Sequence, residues 1–143
     1  MTCTFFGHRD APDKAEEILR ETIIELIENE NVNLFYVGNN GRFDKMVLKA
    51  LKSLKEKYIH IKYFVVLAYV PKERKQEEYE LTIIPETVEK VPYKFAIIER
   101  NHWMISKSDF VIGYVNSIGK SDDFLKLAEK KGLVVINIAD KIN

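Results

Sequence analysis

The sequence has a single cysteine, Cys3, and therefore cannot form a disulfide bond within the chain. Cys3 lies in an apolar run, where the expected role is that of a small buried core residue. A chain without a disulfide framework is typical of a reducing compartment. The apolar stretch within the opening MTCTFFGHRD is too short for a signal peptide. We therefore expect a cytoplasmic protein.

Long hydrophobic runs and an excess of charge are also missing. The longest apolar run, Tyr63–Val70, is far shorter than the roughly 20 residues that a membrane-spanning helix needs, so no membrane partner is expected. Lysine plus arginine and aspartate plus glutamate both number 22, which gives a formal net charge of zero. Proteins that neutralise many phosphates are usually basic. Nucleic-acid binding is therefore disfavoured. A neutral net charge is still compatible with a local basic patch.

Several motifs that carry chemistry are absent as well. The three histidines, His8, His60 and His102, do not have the spacing of metal ligands. No G-x-S-x-G elbow indicates a serine hydrolase, and no G-x-G-x-x-G fingerprint is present. The fragment Gly119-Lys120-Ser121 resembles the end of a P-loop, but Tyr114 stands where the first glycine would be. We expect neither a bound metal nor a cofactor.

The chain does contain short apolar runs that alternate with helical segments. Five runs are almost continuously apolar, as strands buried on both faces are: Thr2–Phe6, Leu34–Val37, Tyr63–Val70, Phe110–Val115 and Leu133–Ile138. Four segments place apolar residues at helical spacing: Asp13–Glu30, Phe43–Tyr58, Lys94–Lys107 and Ser121–Lys131. This alternation predicts one domain over residues 1–143, with a Rossmann-like three-layer α/β/α fold. We predict a five-stranded parallel sheet in the order 3-2-1-4-5.

One connection interrupts this alternation. The stretch Pro71–Pro92 contains the charge run KERKQEE and three prolines, and it predicts a long loop. Loops of this length in a compact domain often serve as lids over a site. The alternative is a solvent-exposed loop without a function, and the sequence is compatible with both interpretations.

Glycines and polar residues follow the predicted strands, at the edge where doubly wound sheets bind their ligands. A glycine allows close backbone approach, an arginine offers a planar fork for phosphate, and a loop leading into a helix presents free amides to an anion. An ordinary strand-to-helix turn is the alternative for the second of these loops. The candidate ligand-binding residues of these loops are Gly7, His8, Arg9, Gly38, Asn39, Gly41, Asp44, Gly119, Lys120 and Ser121. Two further candidates, Arg100 and Asn101, lie in the helical segment before the fourth strand, where a polar surface patch at the end of the helix is the alternative.

Five motifs, taken together and in order, resemble those of a known protein family over nearly the whole chain. Only Pro71–Pro92 resembles the family poorly. The five motifs are CTFFGHRD, FYVGNNGRFD, VVLAYVP, RNHWMISKSDFVIGYV and KKGLVVINI. Together they resemble the SLOG superfamily, named for its Smf/DprA and LOG members, and within it a group of small single-domain bacterial and phage proteins. The resemblance implies a Rossmann-like sheet whose cleft binds nucleotides or nucleotide-derived signals. The residues that it places in the cleft are Gly7, Arg9, Gly38, Gly41, Asp44, Arg100 and Asn101.

The sequence departs from that group in the turn after the fourth predicted strand. Members usually have a Gly-Gly-Ala turn there, whereas this chain has residues 116–121 with one glycine and Ile118. A β-branched side chain resists the positive φ that such turns use, so we expect glycine at position 118 to tighten binding and Lys120 to compensate in part. The Pro-Gly-Gly-x-Gly-Thr-x-x-Glu run of the LOG phosphoribohydrolases is absent, so their cytokinin-activating hydrolysis is not implied.

These observations favour a protein that binds a nucleotide or a nucleotide-derived small molecule, as a sensor or a ligand-sequestering module. The alternative is an enzyme that cleaves or transfers at an N-glycosidic bond of a nucleotide or nucleoside, with Asp44 or Asp10 as its carboxylate. Single-stranded DNA binding, as in the Smf/DprA branch, is disfavoured by the neutral charge. The sequence is compatible with both a monomer and a homodimer.

Overall fold

The computed structural model describes residues 1–70 and 81–142. Its strands and helices are β1 (Thr2–Gly7), α1 (Ala15–Asn29), β2 (Leu34–Val37), α2 (Arg42–Lys57), β3 (Lys62–Val66), β4 (Thr82–Ile83), α3 (Glu86–Glu89), α4 (Ala96–Ser106), β5 (Phe110–Tyr114), α5 (Lys120–Lys130) and β6 (Val134–Asn137). Two 3₁₀ turns, Tyr93–Phe95 and Ile138–Lys141, precede α4 and follow β6.

The strands form one sheet in which every pair of neighbours is parallel, in the order β4-β3-β2-β1-β5-β6. The five predicted strands lie in the predicted order, and the Rossmann-like α/β class is confirmed. The number of strands was predicted wrongly, because the described part of the sheet has six. The additional strand, β4, pairs with the end of β3 and lies at the edge of the sheet.

The sixth strand was missed because it consists of only two residues, Thr82 and Ile83, within the stretch predicted as a loop. Two backbone hydrogen bonds link this segment to the end of β3: the Val65 N–H donates to the Leu81 carbonyl, and the Leu67 N–H donates to the Ile83 carbonyl. The predicted loop therefore includes β4 and α3. Residues 71–80, which contain the charge run and most of the predicted lid, lie outside the described residues.

Helices cover both faces of the sheet. Side chains along a strand alternate between the two faces, and in β1 Phe5 packs in the cluster formed with α1 and α2, whereas Phe6 packs in the cluster formed with α4 and α5. Burial of one large apolar side chain stabilises a fold by about 1.5–3 kcal/mol. The two clusters therefore fix the position of the carboxyl ends of the strands, from which the loops of the site extend. Within the described ranges, no helix is long and apolar enough to cross a membrane.

Candidate functional site

A cavity of about 320 Å³ lies at the carboxyl ends of the central strands. It is bounded by the loop after β1, the loop after β2, one side of α4 and the first turn of α5. β1 lies between β2 and β5 in the sheet, so the chain order reverses beside it. Ligands of doubly wound folds bind at such a switch point.

The structure brings most of the predicted site residues together in this cavity. Nine of the twelve line it: Gly7, His8, Arg9, Gly38, Asp44, Arg100, Asn101, Lys120 and Ser121. Sequence reasoning missed eight further lining residues: Phe5, Phe6, Asn40, Lys94, Ile97, Ile98, Met104 and Phe124. Six of these eight are apolar, so their hydrophobicity alone assigns them to the core. The signal for Asn40 was its position between the two glycines of the loop after β2.

Three predicted residues lie outside the lining. The Asn39 side chain instead accepts a hydrogen bond from Arg100. Gly41 precedes α2 with a φ of 93°, and a Cβ there would lie 2.9 Å from the Cα of Arg9. Gly119 precedes α5 in an extended conformation, and a Cβ there would meet nothing within 4 Å.

Arg100 is the most deeply buried charged residue at the site, at 3% exposure. Its Nε donates to the Oδ1 of Asn101 over 3.1 Å. Its Nη1 donates to the Oδ1 atoms of Asn39 and Asn40, over 3.1 and 2.8 Å. No residue in the described ranges accepts a hydrogen bond from Nη2. Three neutral acceptors therefore fix the orientation of the guanidinium group without neutralising its charge.

Among the described residues that line the cavity, Asp44 is the only carboxylate. It is the third residue of α2, and its Oδ2 accepts the backbone N–H of Asn40 over 2.9 Å. A carboxylate at this helical position commonly binds an N–H that precedes the helix. Burial raises the pKa of Asp44 to about 6, against the opposing effects of the Asn40 N–H and the positive charge of Arg100. Burial likewise lowers the pKa of Arg100, which Asp44 counteracts.

Gly38 lies against both of these buried charged groups. A Cβ at Gly38 would lie 2.9 Å from the Oδ2 of Asp44 and 3.1 Å from the Cζ of Arg100. Both contacts are tighter than an ordinary van der Waals contact, so any larger residue would displace one of the two side chains. Asp44 and Arg100 thus both pack against Gly38, and they do not form a direct ion pair.

The turn before α5 closes the cavity on the side of β1. The His8 Nε2 accepts the backbone N–H of Asn116 over 3.0 Å, and the Ser121 hydroxyl donates to the Gly7 carbonyl over 3.1 Å. No described side chain caps the N-terminus of α5, and uncapped amides in the first turn of a helix attract anions. Ile118 is 91% exposed and has no positive φ, and Gly119 is extended rather than left-handed. The expected conflict between Ile118 and a left-handed turn does not occur.

The charges at the cavity favour an anion. Arg9, Lys94 and Lys120 are exposed lining residues, and Arg100 is buried, whereas Asp44 is the single acidic side chain in the described part of the lining. Three or more His, Cys, Asp or Glu side chains that could hold a metal are not found together in the described ranges. The fold and the site together define a Rossmann-like α/β protein with a cationic pocket at the switch point of its sheet.

No family model matches the chain, and no curated protein matches it significantly in sequence. The resemblance to the SLOG superfamily therefore stays a prediction.

Proposed function

We propose that this protein binds a nucleotide or a nucleotide-derived ligand in the cleft at the carboxyl ends of its strands, as a sensor or ligand-binding module. The observation that carries this proposal is the buried guanidinium of Arg100, whose Nη2 has no acceptor among the residues described. A buried charge is costly unless it is paired. An oxygen of the ligand that accepts from Nη2 satisfies this donor, and a hydrogen bond with an ionised partner is roughly twice as strong as one between neutral groups.

The other lining residues match the remaining parts of a nucleotide. Arg9, Lys94 and Lys120 provide charge for phosphate groups at the rim, and the apolar side chains of Ile97 and Phe124 offer a surface for a flat base. The cavity volume lies at the lower end of the range of small-molecule sites, about 300–1,000 Å³. The resemblance of the ordered motifs to the SLOG superfamily points to the same ligand class.

Asp44 favours a second candidate, the cleavage or transfer of an N-glycosidic bond. A carboxyl group with a pKa of about 6 exchanges protons near neutral pH, as a general acid or base requires. Asp10, the other carboxylate considered for this reaction, is exposed and does not line the cavity. The enzymatic alternative therefore depends on Asp44 alone.

The binding proposal is tested by titration calorimetry with adenosine monophosphate, adenosine diphosphate, adenosine diphosphate ribose and nicotinamide adenine dinucleotide. We expect at least one of these to bind, and Arg100→Gln to weaken it by about tenfold or more, since a hydrogen bond to a charged group contributes about 1.5–3 kcal/mol. Arg20→Gln is the matched control, because Arg20 is exposed on α1 and lies outside the cavity. If no phosphate compound binds, the proposed function is wrong.

Turnover is tested separately by chromatography of the same compounds after incubation with the protein. Release of a free base that Asp44→Asn abolishes would favour the enzyme. Unchanged compounds, together with measurable binding, would favour the binding module.

A further inference from the structure

The most informative geometry in the cavity is that Asp44 and Arg100 both pack against Gly38, whose Cβ would meet both side chains. Both side chains line the cavity and both are more than nine-tenths buried, at 8% and 3% exposure. Each also has an atom without a hydrogen-bond partner in the described part of the chain, Oδ1 of Asp44 and Nη2 of Arg100. The carboxylate accepts hydrogen bonds and the guanidinium donates them. A ligand that bonds to both atoms must therefore supply both a donor and an acceptor.

A phosphate oxygen satisfies only half of this requirement. It accepts from Arg100, but it brings a second negative charge close to the Asp44 carboxylate, and like charges at short range are unfavourable. A hydroxyl group is different, because it can donate to the carboxylate and accept from the guanidinium. Two adjacent hydroxyls on a sugar ring each provide one donor and one acceptor.

We propose that Asp44 and Arg100 form a two-point clamp for ligand hydroxyl groups, which makes the site selective for ribose-containing phosphates over plain polyanions. This inference rests on the proposed function and specifies the ligand class of the same site. The clamp is buried, whereas the remaining cations of the lining, Arg9, Lys94 and Lys120, are exposed. The exposed cations bind the phosphate, and the buried pair binds the sugar.

The arrangement of neighbouring groups supports this division. The side-chain oxygens of Asn39, Asn40 and Asn101 occupy Nη1 and Nε of Arg100, so only Nη2 is left for the ligand. The Asn40 N–H occupies Oδ2 of Asp44, which leaves Oδ1. Because Gly38 has no side chain, nothing of the protein at that position intrudes between the two groups. A site built to bond a hydroxyl rejects analogues without it, because its buried polar groups are then unpaired.

The experiment compares three probes by titration calorimetry on the wild-type protein: adenosine monophosphate, the analogue that lacks both free ribose hydroxyls, and inorganic pyrophosphate. We expect adenosine monophosphate to bind at least about tenfold more tightly than the analogue, since hydrogen bonds to charged groups are involved. The two nucleotides have the same base and the same charge, so the comparison isolates the hydroxyls and requires no variant.

Two variants test which carboxylate is responsible. Asp44→Asn should reduce the preference for adenosine monophosphate to less than about threefold and strengthen pyrophosphate binding, because the like charge is removed. Asp122→Asn is the matched control, since Asp122 is also the third residue of its helix but does not line this cavity. Its preference should equal that of the wild type.

The outcomes separate this inference from the proposed function. If both nucleotides bind the wild type with equal affinity, the clamp is wrong and the proposed function stands. If pyrophosphate binds and neither nucleotide does, the clamp is also wrong, and the site binds simple polyanions. If none of the probes binds, both proposals fail.

Discussion

Gly7 packs directly against the ring of Phe43: a Cβ at Gly7 would lie 2.4 Å from both the Cγ and the Cδ2 of that ring. Gly7 ends β1 and Phe43 lies in the first turn of α2. Gly7 is not among the residues with a positive φ, so glycine is needed here for space. This contact sets how closely the N-terminus of α2, with Asp44, approaches the loop after β1.

The first prediction is that Gly7→Ala destabilises the fold. An added methyl group in a well-packed site forces neighbouring atoms to shift, which costs about 1–3 kcal/mol. We expect a decrease of that size in the free energy of unfolding, measured by urea denaturation. Gly119→Ser is the control, because a Cβ at Gly119 meets nothing within 4 Å and serine is favoured at the residue that caps a helix. An unchanged stability of Gly7→Ala would contradict the packing assigned to Phe43.

The second prediction concerns the pH dependence of stability. The pKa of Asp44 is raised from 3.8 to about 6 by burial, so the folded state binds this proton more tightly than the unfolded chain. Protonated Asp44 therefore favours folding below the unfolded pKa, and this contribution is lost as pH rises through the folded pKa. A shift of this size corresponds to about 3 kcal/mol for one group.

Asp44→Asn removes this dependence and keeps a side-chain oxygen for the Asn40 N–H. We expect the stability of the variant relative to the wild type to increase by roughly 2 kcal/mol between about pH 4.5 and about pH 7.5, because part of the total is already lost at the lower pH. Urea denaturation at both pH values measures this difference, and the other carboxylates cancel in the comparison. Parallel pH profiles for the two proteins would show that Asp44 is not desolvated in the folded state.

Five strands could be predicted from the sequence because a parallel sheet buries both faces of each strand and leaves continuous apolar runs. Their order could be predicted from the alternation with helices and the long crossover between the third and fourth of them. β4 could not, since Thr82 and Ile83 form no run and their pairing depends on where the end of β3 lies. At the site, the loop residues could be predicted because ligands bind beyond the strand ends. Ile97 and Ile98 could not, since an apolar residue that lines a cavity and one that fills a core have the same sequence signal.

The third prediction is that Gly38→Ala impairs binding. Its Cβ would approach the Oδ2 of Asp44 to 2.9 Å and the Cζ of Arg100 to 3.1 Å, so one of the two side chains must move. We expect the affinity for adenosine monophosphate to decrease by about tenfold, comparable to the loss of a hydrogen bond to a charged group. Calorimetry well below the melting temperature separates this loss from any loss of stability. Wild-type affinity would show that the two side chains adjust without consequence for the ligand.

The last prediction concerns the turn before α5. Ile118 is 91% exposed and has no positive φ, so replacing it with glycine brings no backbone atom closer to the ligand. We therefore no longer expect Ile118→Gly to tighten binding, and its affinity for adenosine monophosphate should equal that of the wild type.

Lys120 acts differently, because it lines the cavity beside the uncapped amides of α5 and its charge is exposed. An exposed lysine attracts phosphate mainly through long-range charge, which salt screens. Lys120→Ala should accordingly weaken adenosine monophosphate binding by a few-fold at low salt, about 1 kcal/mol or less, and reduce its salt dependence. Lys130→Ala, at the other end of the same helix, is the matched control. Titrations at several salt concentrations measure both effects, and if the two variants have identical salt dependence, the first turn of α5 takes no part in binding the phosphate.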